Sequence, residues 1–295
     1  MADRVATLVL SGGGAKGSFE VGAEHILREK KGYRWDRIFG VSVGALNATI
    51  LAQGEYQRLK DIWFTIREED VYKKFGWLRV AWRLAVEKKL GVYDNTPLRD
   101  LIQKNAAGRP FRVPVHVGRV SLTTGEYESV SSSDPDFLNA VWESATMPII
   151  WECIGLKAYV DGGLRNVTPL GDVLDYSPNE IVVIVLSSEQ IEPAPYPRDI
   201  INVATRSLTD VTINEILKND VDDFVRINDL VKQAEKGGIK LKKPKKNPTD
   251  PDEYYKYCPI TVIWPLEPLG DSLDFSQGSV RWRYAKGEDA ARMIP

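Results

Sequence analysis

The chain predicts a three-layer α/β protein, with a mostly parallel central sheet between layers of helices. Three observations carry this expectation. A strand, a glycine turn and a helix follow one another twice near the N-terminus; Ile181–Leu186 is an unbroken apolar run of the kind buried on both faces of a parallel sheet; and no repeat or clear linker interrupts the 295 residues. A single domain over residues 1–295 is therefore expected.

The first strand, Ala6–Leu10, runs directly into Ser11-Gly12-Gly13-Gly14-Ala15-Lys16-Gly17. From Ser18 to about Lys31, Phe19, Ala23, Ile26 and Leu27 recur at helical spacing, Lys30 and Lys31 lie in the last turn, and Gly32 can stop the helix. A second strand, Arg37–Val41, leads into Gly40-Val41-Ser42-Val43-Gly44 and a helix rich in Ala, Leu and Ile that continues to Gln53. Further strands are expected at Val113–Ser121, Ala158–Val160, Ile181–Leu186 and Pro259–Trp264, and a last helix over Ser279–Met293. Residues 232–251 are rich in Lys, Pro, Gly and Asn and read as an exposed hairpin or flexible insertion.

Composition narrows the classes. Hydrophobic residues at 43% and charged residues at 27% fit an ordinary globular chain and exclude disordered and fibrous ones. With 39 basic and 41 acidic residues the net charge is −2, so no global field draws the protein onto nucleic acid, and any basic partner site must be local. Cys153 and Cys258 stand far apart without metal-ligand spacing, which argues for reduced core residues rather than a disulfide framework or a metal site. The first apolar run is shorter than the core of a secretory signal, and no stretch approaches the roughly 20 residues that span a bilayer. A cytoplasmic protein, free or peripherally attached to a membrane, is expected.

Both glycine turns carry chemistry. In G-x-S-x-G, small flanking residues let the backbone bend sharply between strand and helix and leave the Ser42 hydroxyl at a helix N-terminus, where developing negative charge is favoured. An acyl-transfer nucleophile also needs oxyanion donors, and losing one costs roughly a hundredfold in rate. The N–H groups around Gly12, Gly13 and Gly14 are the candidates, with Lys16 and Gly17 as further support. Gly12, Gly14 and Gly17 also satisfy the dinucleotide-binding pattern, but the acid that should end the second strand is missing, and Lys16-Gly17-Ser18 reverses the order a P-loop requires. No cofactor is expected.

A serine needs a base. The chain has two histidines; His25 lies on the first helix and His116 in a strand, and no histidine follows an acid in the order an α/β-hydrolase requires. A carboxylate remains, and Asp161 stands at the end of the Ala158–Val160 strand before Gly162-Gly163; the other reading of these residues is a plain Asp-Gly turn.

The sequence resembles the patatin-like phospholipases. Ser11–Gly17 is similar to their oxyanion loop, Gly40–Ala48 to their nucleophile turn and helix, Glu143–Pro148 to the segment before their last catalytic strand, and Asp161–Asn166 to their Asp-Gly-Gly motif; Pro265–Gly270 through Asp274–Ser276 is also similar. The resemblance implies a three-layer patatin-like fold and a Ser42–Asp161 dyad without histidine or metal. It further implies hydrolysis of phospholipid, lysophospholipid or neutral acyl-glycerol esters through an acyl-enzyme. Lys16 stands where many members carry arginine; the positive charge is kept, but an ammonium cannot make the bidentate hydrogen bonds of a guanidinium. The rival readings are an acyltransferase on a similar serine, and a catalytically silent lipid-binding protein.

Two segments offer a route to lipid. Residues 70–92 interleave Phe75, Trp77, Leu78, Val80, Trp82, Leu84 and Val86 with Lys73, Lys74, Arg79, Arg83, Lys88 and Lys89. That pattern suits a membrane-interface helix or a lid, or else a helix packing its apolar stripe on the domain. Lys240, Lys242, Lys243, Lys245 and Lys246 form either an anionic-lipid contact or a solvated loop.

Overall fold

A computed structural model describes residues 4–188, 191, 196–244, 247 and 249–294. The N-terminal half contains β1 (Arg4–Leu10), α1 (Ser18–Lys30), β2 (Tyr33–Val41), α2 (Val43–Ala52), α3 (Tyr56–Thr65), α4 (Trp77–Ala85), β3 (Gly91–Tyr93), α5 (Thr96–Ala106), β4 (Val115–Ser121) and β5 (Tyr127–Ser131). There follow α6 (Phe137–Ser144), β6 (Ile149–Trp151), β7 (Tyr159–Asp161), α7 (Leu170–Leu174), β8 (Ile181–Ile184), α8 (Ile200–Thr205), α9 (Ile213–Lys236), β9 (Ile260–Ile263) and α10 (Gln277–Arg292).

The main sheet runs β5-β4-β2-β1-β8-β9, with β7 also paired to β4. Five of its strands are parallel, and β5 and β7 run antiparallel to β4. Chain order leaves β1 toward β2 on one side and returns at β8 on the other. That reversal opens a crevice beyond the carboxyl ends of β1 and β8, where ligands of open α/β sheets bind.

Helices cover both faces. Gly40 of β2 lies against the first turn of α2, whereas the ring of its neighbour Phe39 packs at a tilt against Tyr176, just past α7, on the opposite face. Side chains one residue apart in a strand point to opposite faces, so α2 and α7 belong to opposite layers. Packing of α1 against α2, α3 and α10 extends the first layer, and α9 joins α7 in the second. Ile181–Leu186 is buried throughout, as an interior strand of such a sandwich must be.

The two edges of β4 place the site. β5 occupies one edge along His116–Val120. On the other, β2 pairs with Val115–Gly118 and stops at Val41, and β7 takes over at Arg119–Ser121, opposite Asp161, Val160 and Tyr159. Asp161 thus meets the sheet one step along β4 from where the β2 chain leaves it.

The structure adjusts four of the expected elements. The second strand starts at Tyr33 rather than Arg37, because the register with β1 already begins there. The lysine-rich segment is helical as far as Lys236, held by buried Val231; beyond it Leu241 and Lys243 pair with the returning chain at Tyr255 and Glu253. Lys242 and Lys243 are matched there by Asp252 and Glu253, and Lys245 and Lys246 lie outside the described residues. Within 70–92 only Trp77–Ala85 is α-helical, and its apolar side chains face outward instead of packing on the protein. Cys258 is buried as expected, but Cys153 is half-buried, on the chain after β6.

Candidate active site

Ser42 sits between β2 and α2 with φ 57° and ψ −128°, a conformation that costs a non-glycine residue about 1–3 kcal/mol. The turn is possible because Gly44 has no side chain: a Cβ there would fall 2.4 Å from the Leu10 carbonyl oxygen. Ser144 Oγ, fully buried at the end of α6, accepts the Ser42 N–H at 2.9 Å. That bond fixes the strained turn against a neighbouring helix.

Gly12 faces Ser42, since a Cβ on it would lie 3.2 Å from Ser42 Cβ. Gly14 has φ +59°, and a Cβ there would collide with the Ser272 carbonyl oxygen at 2.4 Å; Ala15 donates its N–H to that same oxygen at 2.7 Å. Among the described residues nothing accepts the N–H groups of Gly12, Gly13 or Gly14. Gly13, Gly14, Ser42 and Asp161 line one cavity, whose remaining walls are mainly apolar: Leu46, Ile50, Leu59, Trp63, Leu98, Ile102, Met147, Ile150 and Phe275. The walls are thus apolar, with the glycine turn, Ser42 and Asp161 as polar elements of the lining.

Asp161 is fully buried. Its Oδ1 accepts the Gly163 N–H at 2.8 Å, while Oδ2 is buried without an ordinary hydrogen bond. Burial pushes its pKa up to about 7; the Ser42 hydroxyl and the Gly163 N–H offset only part of that by stabilising the carboxylate. The Ser42 hydroxyl acts on Asp161 without meeting ordinary hydrogen-bond geometry, so the two groups are adjacent and Oδ2 is uncommitted.

Neither histidine lines this cavity. His116 stacks on Phe39 at 4.8 Å and sits 2.8 Å from the Arg37 guanidinium; burial and that cation lower its pKa to about 4. His25 stacks on Tyr56 with its Nε2 3.7 Å from Glu288. Among the described residues no group of three or more His, Cys, Asp or Glu side chains could hold a metal ion.

The sequence profile of the family described as patatin-like phospholipase matches residues 8–174, which contain both glycine turns, Ser42 and Asp161. The chain belongs to the patatin-like phospholipase family. An uncharacterized protein, YqhO of Bacillus subtilis (strain 168), is 36% identical over 196 residues, covering 55% of this chain and 64% of that one. VipD from Legionella pneumophila aligns structurally with a TM-score of 0.46 and 15% identity, over 97% of this chain and 66% of that one. The chain thus spans less than two thirds of either relative's length.

Of the residues singled out in this patatin-like chain, Ser42, Asp161, Gly12, Gly13 and Gly14 come together, and two do not join them. Lys16 lines a separate cavity, with its Nζ 3.7 Å from Asp210 Oδ1, and burial lowers its pKa. Gly17 packs under the nucleophile helix, where a Cβ would meet Val43 and Trp63. Sequence reasoning missed four supports. Asn47 Nδ2 donates to the Gly17 carbonyl at 2.9 Å and to buried Glu20 at 2.8 Å, and its Oδ1 accepts from Trp63 Nε1 at 2.8 Å. The segment Ser144–Thr146 holds both chemical residues, through Ser144 Oγ and through the Thr146 carbonyl, which accepts the Asp161 N–H at 2.9 Å. Arg283, almost wholly buried, donates to the carbonyls of Ala15, Leu269, Asp271 and Asp274 at 2.8–3.0 Å, bracing the glycine loop from α10. Similarity at Gly40–Ala48 and Glu143–Pro148 covered Asn47, Ser144 and Thr146 without giving their roles, and at Pro265–Ser276 it covered three of the carbonyls that Arg283 holds.

Proposed function

We propose that this chain is a serine acyl hydrolase for lipid esters, working through a Ser42–Asp161 dyad. The observation that carries the reading is that a strained serine and a buried carboxyl with one oxygen lacking an ordinary hydrogen bond share one apolar cavity with unpaired backbone N–H groups. The Asp161 carboxylate takes the Ser42 proton as Oγ attacks the ester carbonyl. Negative charge on the carbonyl oxygen is received by the N–H groups of the Gly12–Gly14 loop and the positive end of α2. Protonated Asp161 then gives its proton to the leaving alcohol, and water, deprotonated by the same carboxylate, releases the fatty acid from the acyl-enzyme. The apolar walls favour long-chain acyl esters, of phospholipids or acyl glycerols, over small polar esters.

A fluorophosphonate probe tests the nucleophile. It is expected to label the wild-type chain and not Ser42→Ala, and equal labelling of both would refute the assignment. Asp161→Asn is expected to fold and to lose turnover of a long-chain p-nitrophenyl ester. Undiminished turnover in that variant would remove Asp161 from the mechanism.

A further inference from the structure

Helix α4 is inside-out. Its one buried residue is Arg83, 7% exposed, whose guanidinium lies over the Phe75 ring at 4.5 Å, whereas Trp77 is 76% exposed and Trp82 52%. Leu78, Leu84 and Val86 are exposed beside them, and the apolar face of a helix in water normally turns inward. The helix packs on β3, whose Gly91 pairs with Ile149 of β6, and Ile149 adds another exposed apolar side chain at φ +72°. A β-branched residue in that conformation is strained, so the surrounding chain must hold Ile149 in place.

Charge surrounds this face. Between Lys73 and Leu90 six basic residues accompany one acid, in a chain whose net charge is −2. Lys73, Lys74, Arg79 and Lys89 pair with Asp94, Glu68, Glu87 and Glu152; of the remaining two, Arg83 is buried, so the exposed excess is the single positive charge of Lys88. Exposed tryptophan and leucine flanked by a modest cationic excess match the acyl–headgroup boundary of an anionic bilayer, where apolar insertion supplies most of the binding and charge adds to it. A second protein chain is a weaker match, because the long basic stems around the patch suit headgroups. The patch also borders the catalytic cavity: within β6, Ile150 and Trp151 line the cavity while Ile149 faces out.

We infer that α4 and the adjoining Ile149 edge are the surface by which this protein docks on an anionic lipid bilayer, delivering acyl chains to the adjacent cavity. The inference rests on the lipid-ester reading above for its purpose, but its test does not depend on turnover. The inactive Ser42→Ala chain is sedimented with vesicles of phosphatidylcholine alone and of phosphatidylcholine with phosphatidylglycerol. Binding is expected to the mixed vesicles, stronger than to the neutral ones, and weakened at least about tenfold by the added pair Trp77→Ser and Trp82→Ser. Unchanged vesicle binding in that variant overturns the inference. So does a fall in solution mass on making the two substitutions, which would mean that a second copy covers the patch. Placed in the active chain, they are expected to leave hydrolysis of a soluble short-chain ester intact; a matching loss there would make α4 a lid and overturn the docking role. A chain that binds vesicles but never reacts with fluorophosphonate would keep the docking surface and lose the hydrolase reading.

Discussion

Ser144 Oγ lies 2.9 Å from the backbone nitrogen of Ser42, so a helix-ending serine accepts the hydrogen bond that the sharp turn offers. Ser144→Ala removes the acceptor and leaves a buried N–H beside a backbone already held at φ 57°. It is expected to lower stability by about 1–2 kcal/mol and to reduce kcat with KM nearly unchanged, since the acyl cavity is untouched. Urea melts alongside steady-state kinetics check both; an intact kcat would mean that the turn holds itself.

Asp161 sets a pH dependence. With its pKa near 7, the carboxylate that the proposed dyad requires forms only as pH rises through neutrality, so kcat/KM is expected to climb from pH 5 to 8 about a midpoint near 7. His116, held near 4 by burial and Arg37, takes no part in that limb. A His116→Gln chain should keep the same midpoint, and a midpoint lost with His116 would point to the wrong base.

The same group opposes folding. The unfolded chain loses the Asp161 proton about its ordinary 3.8 while the folded chain keeps it to about 7, so stability declines as pH rises through that window and is lowest above it. Asp161→Asn is therefore expected to be inactive yet more stable than wild type above pH 7, by up to about 4 kcal/mol at roughly 1.4 kcal/mol per unit. The gain should vanish below pH 4. Thermal melts across pH 4–9 read it directly.

Arg283 joins four carbonyls from one planar fork. Lysine keeps the charge but cannot span them, so Arg283→Lys is expected to cost about 3 kcal/mol or more and to slow acylation by loosening Ala15 and the glycine loop. Chemical denaturation and the rate of fluorophosphonate labelling would both register it; a labelling rate unchanged in folded protein would limit Arg283 to a structural role.

What the sequence disclosed was local. Ser42 and the glycine loop each depend on a few neighbouring residues, and a strand, a turn and a helix are readable over such distances. Asp161 was legible only as a carboxyl at a strand end; its place beside Ser42 comes from β7 occupying an edge that β2 vacates, a pairing with no short-range signature. Ser144 and Arg283 act across 102 and 268 positions of sequence, far beyond any periodicity. The outward face of α4 was left open for another reason. Its pattern of apolar and basic residues was plain, but a pattern specifies two faces without saying which one turns to the protein.

The brace formed by Arg283 and Ser272 bears on how much chain makes an active unit. Both residues lie beyond 174, where the match to the family profile ends. A fragment cut at that boundary would retain both members of the proposed dyad and all three loop glycines. It would also lack the acceptor of the Ala15 N–H, the guanidinium on the Ala15 carbonyl, and β8 in its seat beside β1. On the proposed function, the smallest active unit is therefore expected to extend through α10, and shortening from the C-terminus should extinguish activity well before it reaches Asp161 or Ser42.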